Sequence, residues 1–228
     1  MEKNIRKIEF HRTFVGWTKQ AEYVVSIIVF ESIAFGMLSG LLDFDWKYCV
    51  YMILFLSLMM SAFLIVLNLS TGVYLYFGNN LSFGGRRQDE IYGVGWYSLL
   101  CVIELSIAIL VELKIVGACV SDSIWTVAGF FLWLAGLGLI GFFIRIRCGN
   151  GIASLYAFAA VILYAIICVV IVLLQKSTIE ISDNGDTIVT VIKSLNKIGI
   201  YWCLTGFVIY IVGFILAKKA SQEFIVEM

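Results

Sequence analysis

GNNLSFGGRRQDEIYG, residues Gly78 to Gly93, is the one long polar interval carrying adjacent arginines between two strongly apolar runs. The runs on either side are long enough to cross a bilayer, because ~20 residues of helix match roughly 30 Å of hydrocarbon. Basic loops stay on the cytoplasmic face, so Arg86 and Arg87 are expected inside. Within the interval Leu81, Phe83 and Ile91 are apolar while Arg86, Arg87, Asp89 and Glu90 are charged. That mixture reads as a short surface helix with glycine ends. Such a helix either rests on the membrane face or enters the groove of a soluble partner.

Composition sets the class. Of 228 residues 61% are apolar and 14% charged, against about 45–50% and about 25% in a soluble domain. The chain is read as an all-α integral membrane protein. Lys plus Arg equals Asp plus Glu at 16 each, so net charge points to no nucleic acid and only the placement of charges is informative. Cys49, Cys101, Cys119, Cys148, Cys168 and Cys203 form no CxxC, and the single histidine is His11, so no metal site is expected. Cys49, Cys119 and Cys203 fall near the outer ends of apolar runs, where two of them pair or all remain free thiols. Without proline, any broken helix must use glycine. The start of the chain lacks the pattern of a cleavable signal. Ile8, Phe10, Phe14 and Trp17 alternate with Lys3, Arg6, Lys7, Arg12 and Lys19, which predicts an amphipathic interfacial helix over residues 1–20.

Windows of about 20 residues give six transmembrane helices, near Ala21–Leu41, Cys49–Leu69, Val94–Val111, Trp125–Ile144, Ile152–Leu174 and Gly199–Ala217. The second is expected to continue as helix through Tyr76. With both termini cytoplasmic, eleven of the sixteen lysines and arginines, including every arginine, fall inside. The outer connections are then 42–48, 112–124 and 175–198, and the inner ones 78–93 and 145–151. The 175–198 segment is longer than a turn requires. Asp183 to Asp186 reads as a turn, and Thr187 to Leu195 either dips into the interface or lies on the surface. The whole chain, 1–228, is read as a single transmembrane domain with no repeat or linker.

Two carboxylates, Glu31 and Glu104, are placed inside spans. A charge at mid-membrane costs about 2.5–3.5 kcal/mol on insertion scales, so each should face protein or water. They either line a substrate path or sit protonated against a serine such as Ser26, Ser32, Ser57, Ser61 or Ser106. Gly36 and Gly40 form a GxxxG that suits close helix packing. Gly136, Gly138 and Gly141 spell a dinucleotide fingerprint, but with no preceding strand and inside an apolar run they read as helix packing too. Trp96, Trp125 and Trp202, at span ends, read as interfacial anchors. There is no GxxxxGK[ST], HExxH or GxSxG, and no histidine in any apolar run, so no catalytic residues are assigned and the chain is not read as an enzyme.

The layout resembles the small permease subunits of bacterial type-two ABC exporters, the group that includes bacteriocin-immunity, lipid and drug export complexes. The local match is Ser82 to Glu90, SFGGRRQDE, similar to a Phe-Gly-x-x-Arg-basic string between the second and third spans of many Gram-positive members. The resemblance implies a dimer of permease chains, identical or related, in the cell membrane. Each is joined to a separate ABC ATPase subunit that carries the ATP and Mg, with no cofactor on this chain. It implies that Leu81 to Ile91 is the coupling helix, with Leu81 and Phe83 as apolar anchors and Arg86, Arg87, Asp89 and Glu90 as polar contacts. Substrates would be a peptide, lipid or amphiphilic drug. The very short first two outer loops depart from larger members of the group and argue against an elaborate outer substrate-binding domain. Two alternatives stay open: a six-span solute-binding subunit of a vitamin uptake transporter, and a channel or scaffold that uses no ATP.

Overall fold

A computed structural model of the chain describes residues 2–43, 46–82, 86–115, 120–174 and 198–223. Each described segment is helical. The helices are α1 (Glu2–Asp43), α2 (Trp46–Leu67), α3 (Val73–Ser82), α4 (Arg87–Ile115), α5 (Val120–Cys148), α6 (Asn150–Leu174) and α7 (Gly199–Glu223). A five-residue π turn, Asn68–Gly72, joins α2 to α3 without a break. The second expected span therefore does continue past Tyr76, as far as Ser82.

Among the described residues five stretches are long and apolar enough to cross a membrane: Leu56–Ser82, Arg87–Ile115, Ser123–Cys148, Asn150–Cys168 and Gly199–Gln222. The chain is thus a multi-pass membrane protein by length and composition. The first of the six expected spans, Ala21–Leu41, reaches into side chains outside the described ones. It lies in α1, which runs unbroken for 42 residues, about 63 Å at a rise of ~1.5 Å per residue.

Residues 2–20, expected as an interfacial helix, are the first part of this rod and run into the expected first span without a break. Trp17, Ala21, Val24, Val25 and Ile28 recur at helical spacing and are buried against the protein, whereas Val15, Tyr23, Phe30, Ile33 and Met37 are exposed on the other side. Of the apolar residues in the expected interfacial stripe, Trp17 is buried against the protein and Phe14 is half-buried, while Ile8 and Phe10 lie outside the described side chains.

Helix α5 is central, packing on α2, α4, α6 and most extensively on α7. Helices α5 and α7 run parallel, since Gly129 lies at Cys203 and Gly136 at Tyr210. Glycines recur every seven residues on both, at Gly129 and Gly136 and at Gly199, Gly206 and Gly213. A strict seven-residue repeat keeps one stripe facing its partner along a left-handed crossing. A methyl at Gly136 would come within 2.7 Å of the Tyr210 amide nitrogen, and one at Gly213 within 2.6 Å of the Gly136 carbonyl oxygen. Backbone therefore touches backbone along the seam.

The three glycines of the fingerprint-like string each seat a neighbour, Gly136 the α7 backbone, Gly138 Leu69 and Gly141 Ser70. Gly36 and Gly40 lie in α1, with surroundings outside the described side chains. Helices α5 and α6 meet at Gly149, whose φ of +86° makes a one-residue corner. The faces turned away from the bundle are apolar, with Leu155 71% and Phe207 50% exposed, as contact with lipid requires.

Candidate functional site

Four arginines gather at one end of the bundle: Arg86 and Arg87 where α3 gives way to α4, and Arg145 and Arg147 in the last turn of α5. Just inside that end lies a buried carboxylate. Glu90, in the first turn of α4, is 2% exposed. Trp17 Nε1 donates to its Oε2 at 2.9 Å, Asn80 Nδ2 donates to the same oxygen at 2.9 Å, and Thr13 Oγ1 donates to Oε1 at 3.3 Å. One side chain of α4 thus holds α1 and α3 together.

The carboxylate is matched by neutral donors rather than by an ion pair in these contacts. The amide dipoles at the start of α4 favour a negative group in its first turn, which offsets part of the cost of burying it. Trp17 is held on its other faces as well. Its ring lies edge-on to Tyr76 at 4.6 Å and tilted against Tyr97 at 5.7 Å. It fills the space over Gly93, where a Cβ would overlap the indole.

The same corner is fastened to α7. Arg87 Nη1 donates to the Gln222 carbonyl at 3.1 Å, near the end of α7, where a cation also meets the negative end of the helix dipole. Lys218 Nζ donates to Tyr92 Oη at 3.1 Å. Elements α1, α3, α4 and α7 are therefore linked within one turn of the corner.

The six residues expected to form the coupling contact separate into distinct environments. Arg86 and Arg87 are exposed and Asp89 is half-buried. Leu81 and Glu90 are buried and point into the protein. Phe83 lies outside the described residues. Leu81 and Ser82 end α3, and Arg87 opens α4, with Glu90 N–H donating to the Arg86 carbonyl at 2.9 Å.

The two membrane carboxylates lie apart in their surroundings. Glu31 is half-buried on α1, and Glu104 is half-buried on α4, where its electrostatic neighbour is Glu22 of α1. A third carboxylate was missed. Glu112, assigned by sequence to an outer loop, lies inside α4, which continues to Ile115. Ser57 Oγ donates to Glu112 Oε1 at 2.8 Å, while Oε2 is buried without a hydrogen-bond partner among the described residues. Ser57, one of the serines expected to satisfy Glu31 or Glu104, thus serves Glu112 instead.

Cys101, Cys148, Cys168 and Cys203 are free thiols, and Cys49 and Cys119 lie outside the described side chains. Trp202 is not an interfacial anchor. It is 7% exposed and stacks on Trp133 and Tyr164 at 5.5 and 5.8 Å. Trp125 is exposed, and Trp96 donates to Thr18 Oγ1 at 3.1 Å. The 175–197 segment, with its expected turn and dipping hairpin, lies outside the described residues.

Among the described residues no three of His, Cys, Asp and Glu gather to hold a metal. What the arrangement at the arginine end can do is mechanical: it ties an exposed corner to three helices through directional bonds. Compared with known proteins, the chain matches no family model, no curated protein and no solved structure.

Proposed function

We propose that this chain is the transmembrane subunit of an ATP-driven ABC transporter, a bacterial plasma-membrane exporter of a peptide, lipid or amphiphile. In this reading the arginine end faces the cytoplasm and a separate ATPase seats on the α3–α4 corner. Helix α1 supplies the sixth crossing, and a second permease chain completes the path. One observation carries the reading. The corner presents Arg86, Arg87 and Gln88 outward, while Glu90 and Arg87 connect it to α1, α3 and α7. A push on such a corner is passed to three spans at once, which is what rigid-body rocking by an external motor needs. The absence of a phosphate-binding GxxxxGK[ST] in the sequence agrees with ATP hydrolysis on another chain.

The test is affinity purification of the tagged chain from its native membrane in mild detergent. A P-loop ATPase should co-purify in stoichiometric amount, and Arg86→Glu should release it while the chain stays inserted in the membrane. Recovery of no ATPase in several detergents and in nanodiscs would leave the channel or scaffold reading in its place.

A further inference from the structure

The rod from Trp46 to Ser82 contains one irregular turn, and the turn sits where a change of register would matter. At Asn68–Gly72 the helix widens, and Val73 N–H donates to the Asn68 carbonyl five residues back rather than four. Leu69 and Ser70 are buried at 1% and 0% exposure. The side chains of the turn are suited to its width. Asn68 folds over Gly72, where a Cβ would overlap its amide. Ser70 Oγ donates to the Val66 carbonyl at 2.6 Å and Thr71 Oγ1 to the Leu67 carbonyl at 2.7 Å.

Those two carbonyls lie at the entry of the wide turn, where an α-helix would offer them the amides of residues 70 and 71. The two hydroxyls can keep these carbonyls bonded while the backbone amides change partners, so neither acceptor is stranded during the exchange, which avoids the ~1–3 kcal/mol cost of an unmade bond. The surface opposite the turn is smooth. Leu69 faces Gly138 and Ser70 faces Gly141 of α5, two positions without side chains to obstruct movement.

We infer that Asn68–Gly72 is a register hinge by which α3 turns relative to α2, exchanging the π turn for an α turn. Such an exchange rotates everything after it by ~100° and shifts it by ~1.5 Å along the axis. Three contacts of α3 would break together: Asn80 with Glu90 at 2.9 Å, Phe77 with Phe142 at 5.5 Å between rings, and Tyr74 under the Arg145 guanidinium at 4.5 Å. The hinge goes beyond the transporter reading, since the register change belongs to this chain whatever drives it. Under that reading, the docked corner is what drives it.

The experiment places nitroxide labels at Asn79→Cys, exposed on α3, and at the native exposed Cys148, with the other cysteines replaced, in nanodiscs of phosphatidylethanolamine and phosphatidylglycerol. Pulsed dipolar spectroscopy should resolve two distances in this background. Deleting Thr71 removes the extra residue, makes the rod a plain α-helix with α3 in its present phase, and should leave one distance, that of the π form. Gly72→Ala, which drives Asn68 from its seat, should shift the ratio of the two populations several-fold toward the other distance. A single distance in the background, unchanged by Gly72→Ala, would overturn the hinge. Because no ATPase is present, that result leaves the transporter reading standing, and loss of the ATPase in the purification leaves the hinge standing.

Discussion

The α5–α7 seam and the Glu90 junction fasten helices by opposite means. At the seam there is almost nothing between the backbones, because Gly129, Gly136, Gly206 and Gly213 take the two helices to contact. At the junction everything lies between the backbones: one carboxylate and three donors from two other elements. Contact of the first kind is dispersion, individually weak, summed over many atoms and lost within an ångström of separation. It has one good arrangement. Hydrogen bonds at the edge of a membrane can be exchanged for bonds to water at modest net cost, so a junction of that kind can open and close again. The fixed and the movable parts of the bundle are therefore distinguishable by chemistry alone.

The sharpest way to break this contrast is to fill the seam. Alanine in place of glycine inside a helix normally gains about 1 kcal/mol. At Gly213 the added methyl meets the Gly136 carbonyl oxygen at 2.6 Å, and backbone does not yield as a flexible side chain does. Overpacking costs about 1–3 kcal/mol and more where the obstacle is rigid, so it outweighs the gain. Gly213→Leu should give no monodisperse protein on size exclusion in detergent, and Gly213→Ala should lower the melting temperature clearly. A melting temperature raised by Gly213→Ala would mean that the helices are not in contact there.

Next in size is the loss of the carboxylate. Glu90→Ala strands the Trp17 and Asn80 donors, at ~1–3 kcal/mol each when buried. Glu90→Gln keeps one acceptor oxygen for both Trp17 and Asn80, which share Oε2, and places its amide where the Thr13 hydroxyl can turn to accept. We expect a large fall in thermal stability for alanine and at most about half that fall for glutamine. Equal losses would mean that the charge itself holds the junction rather than the hydrogen bonds. Unlike the seam variants, both should still insert and purify.

How much of this was legible in the sequence follows from the kind of signal each region leaves. Long apolar runs announce spans, and the corner between Ser82 and Arg87 could be placed from its polarity and glycines. The packing of Gly136, Gly138 and Gly141 could also be inferred, because an apolar run leaves such a string no other use. The Glu90 junction could not. Its members, Thr13, Trp17, Asn80 and Glu90, are scattered over 77 residues, and each had a plausible surface role alone. Trp17 read as an interfacial residue because a stripe facing lipid headgroups and a stripe facing protein have the same period. The π turn hid for a similar reason: NLSTG reads as a mildly polar patch in an apolar run, and only the observed bonding reveals the additional residue. Glu112 was lost by ending the third span at Val111, although a serine on the neighbouring helix makes a further carboxyl tolerable there.

That last pair provides the gentlest test of the contrast, since it resembles the junction with two of its three donors removed. Ser57→Ala takes away the one hydrogen bond Glu112 has among the described residues, and should cost about 1 kcal/mol, seen as a small drop in melting temperature. The comparison that matters is with the double change Ser57→Ala and Glu112→Leu. A carboxyl with one oxygen already unpartnered carries a desolvation cost that its single bond barely offsets, and replacing both partners by apolar groups is often neutral or stabilising. The double variant should melt no lower than Ser57→Ala alone. If it melts well below, Glu112 has a partner that the bundle interior does not supply, and this end of α4 is a second polar junction comparable to the one at Glu90.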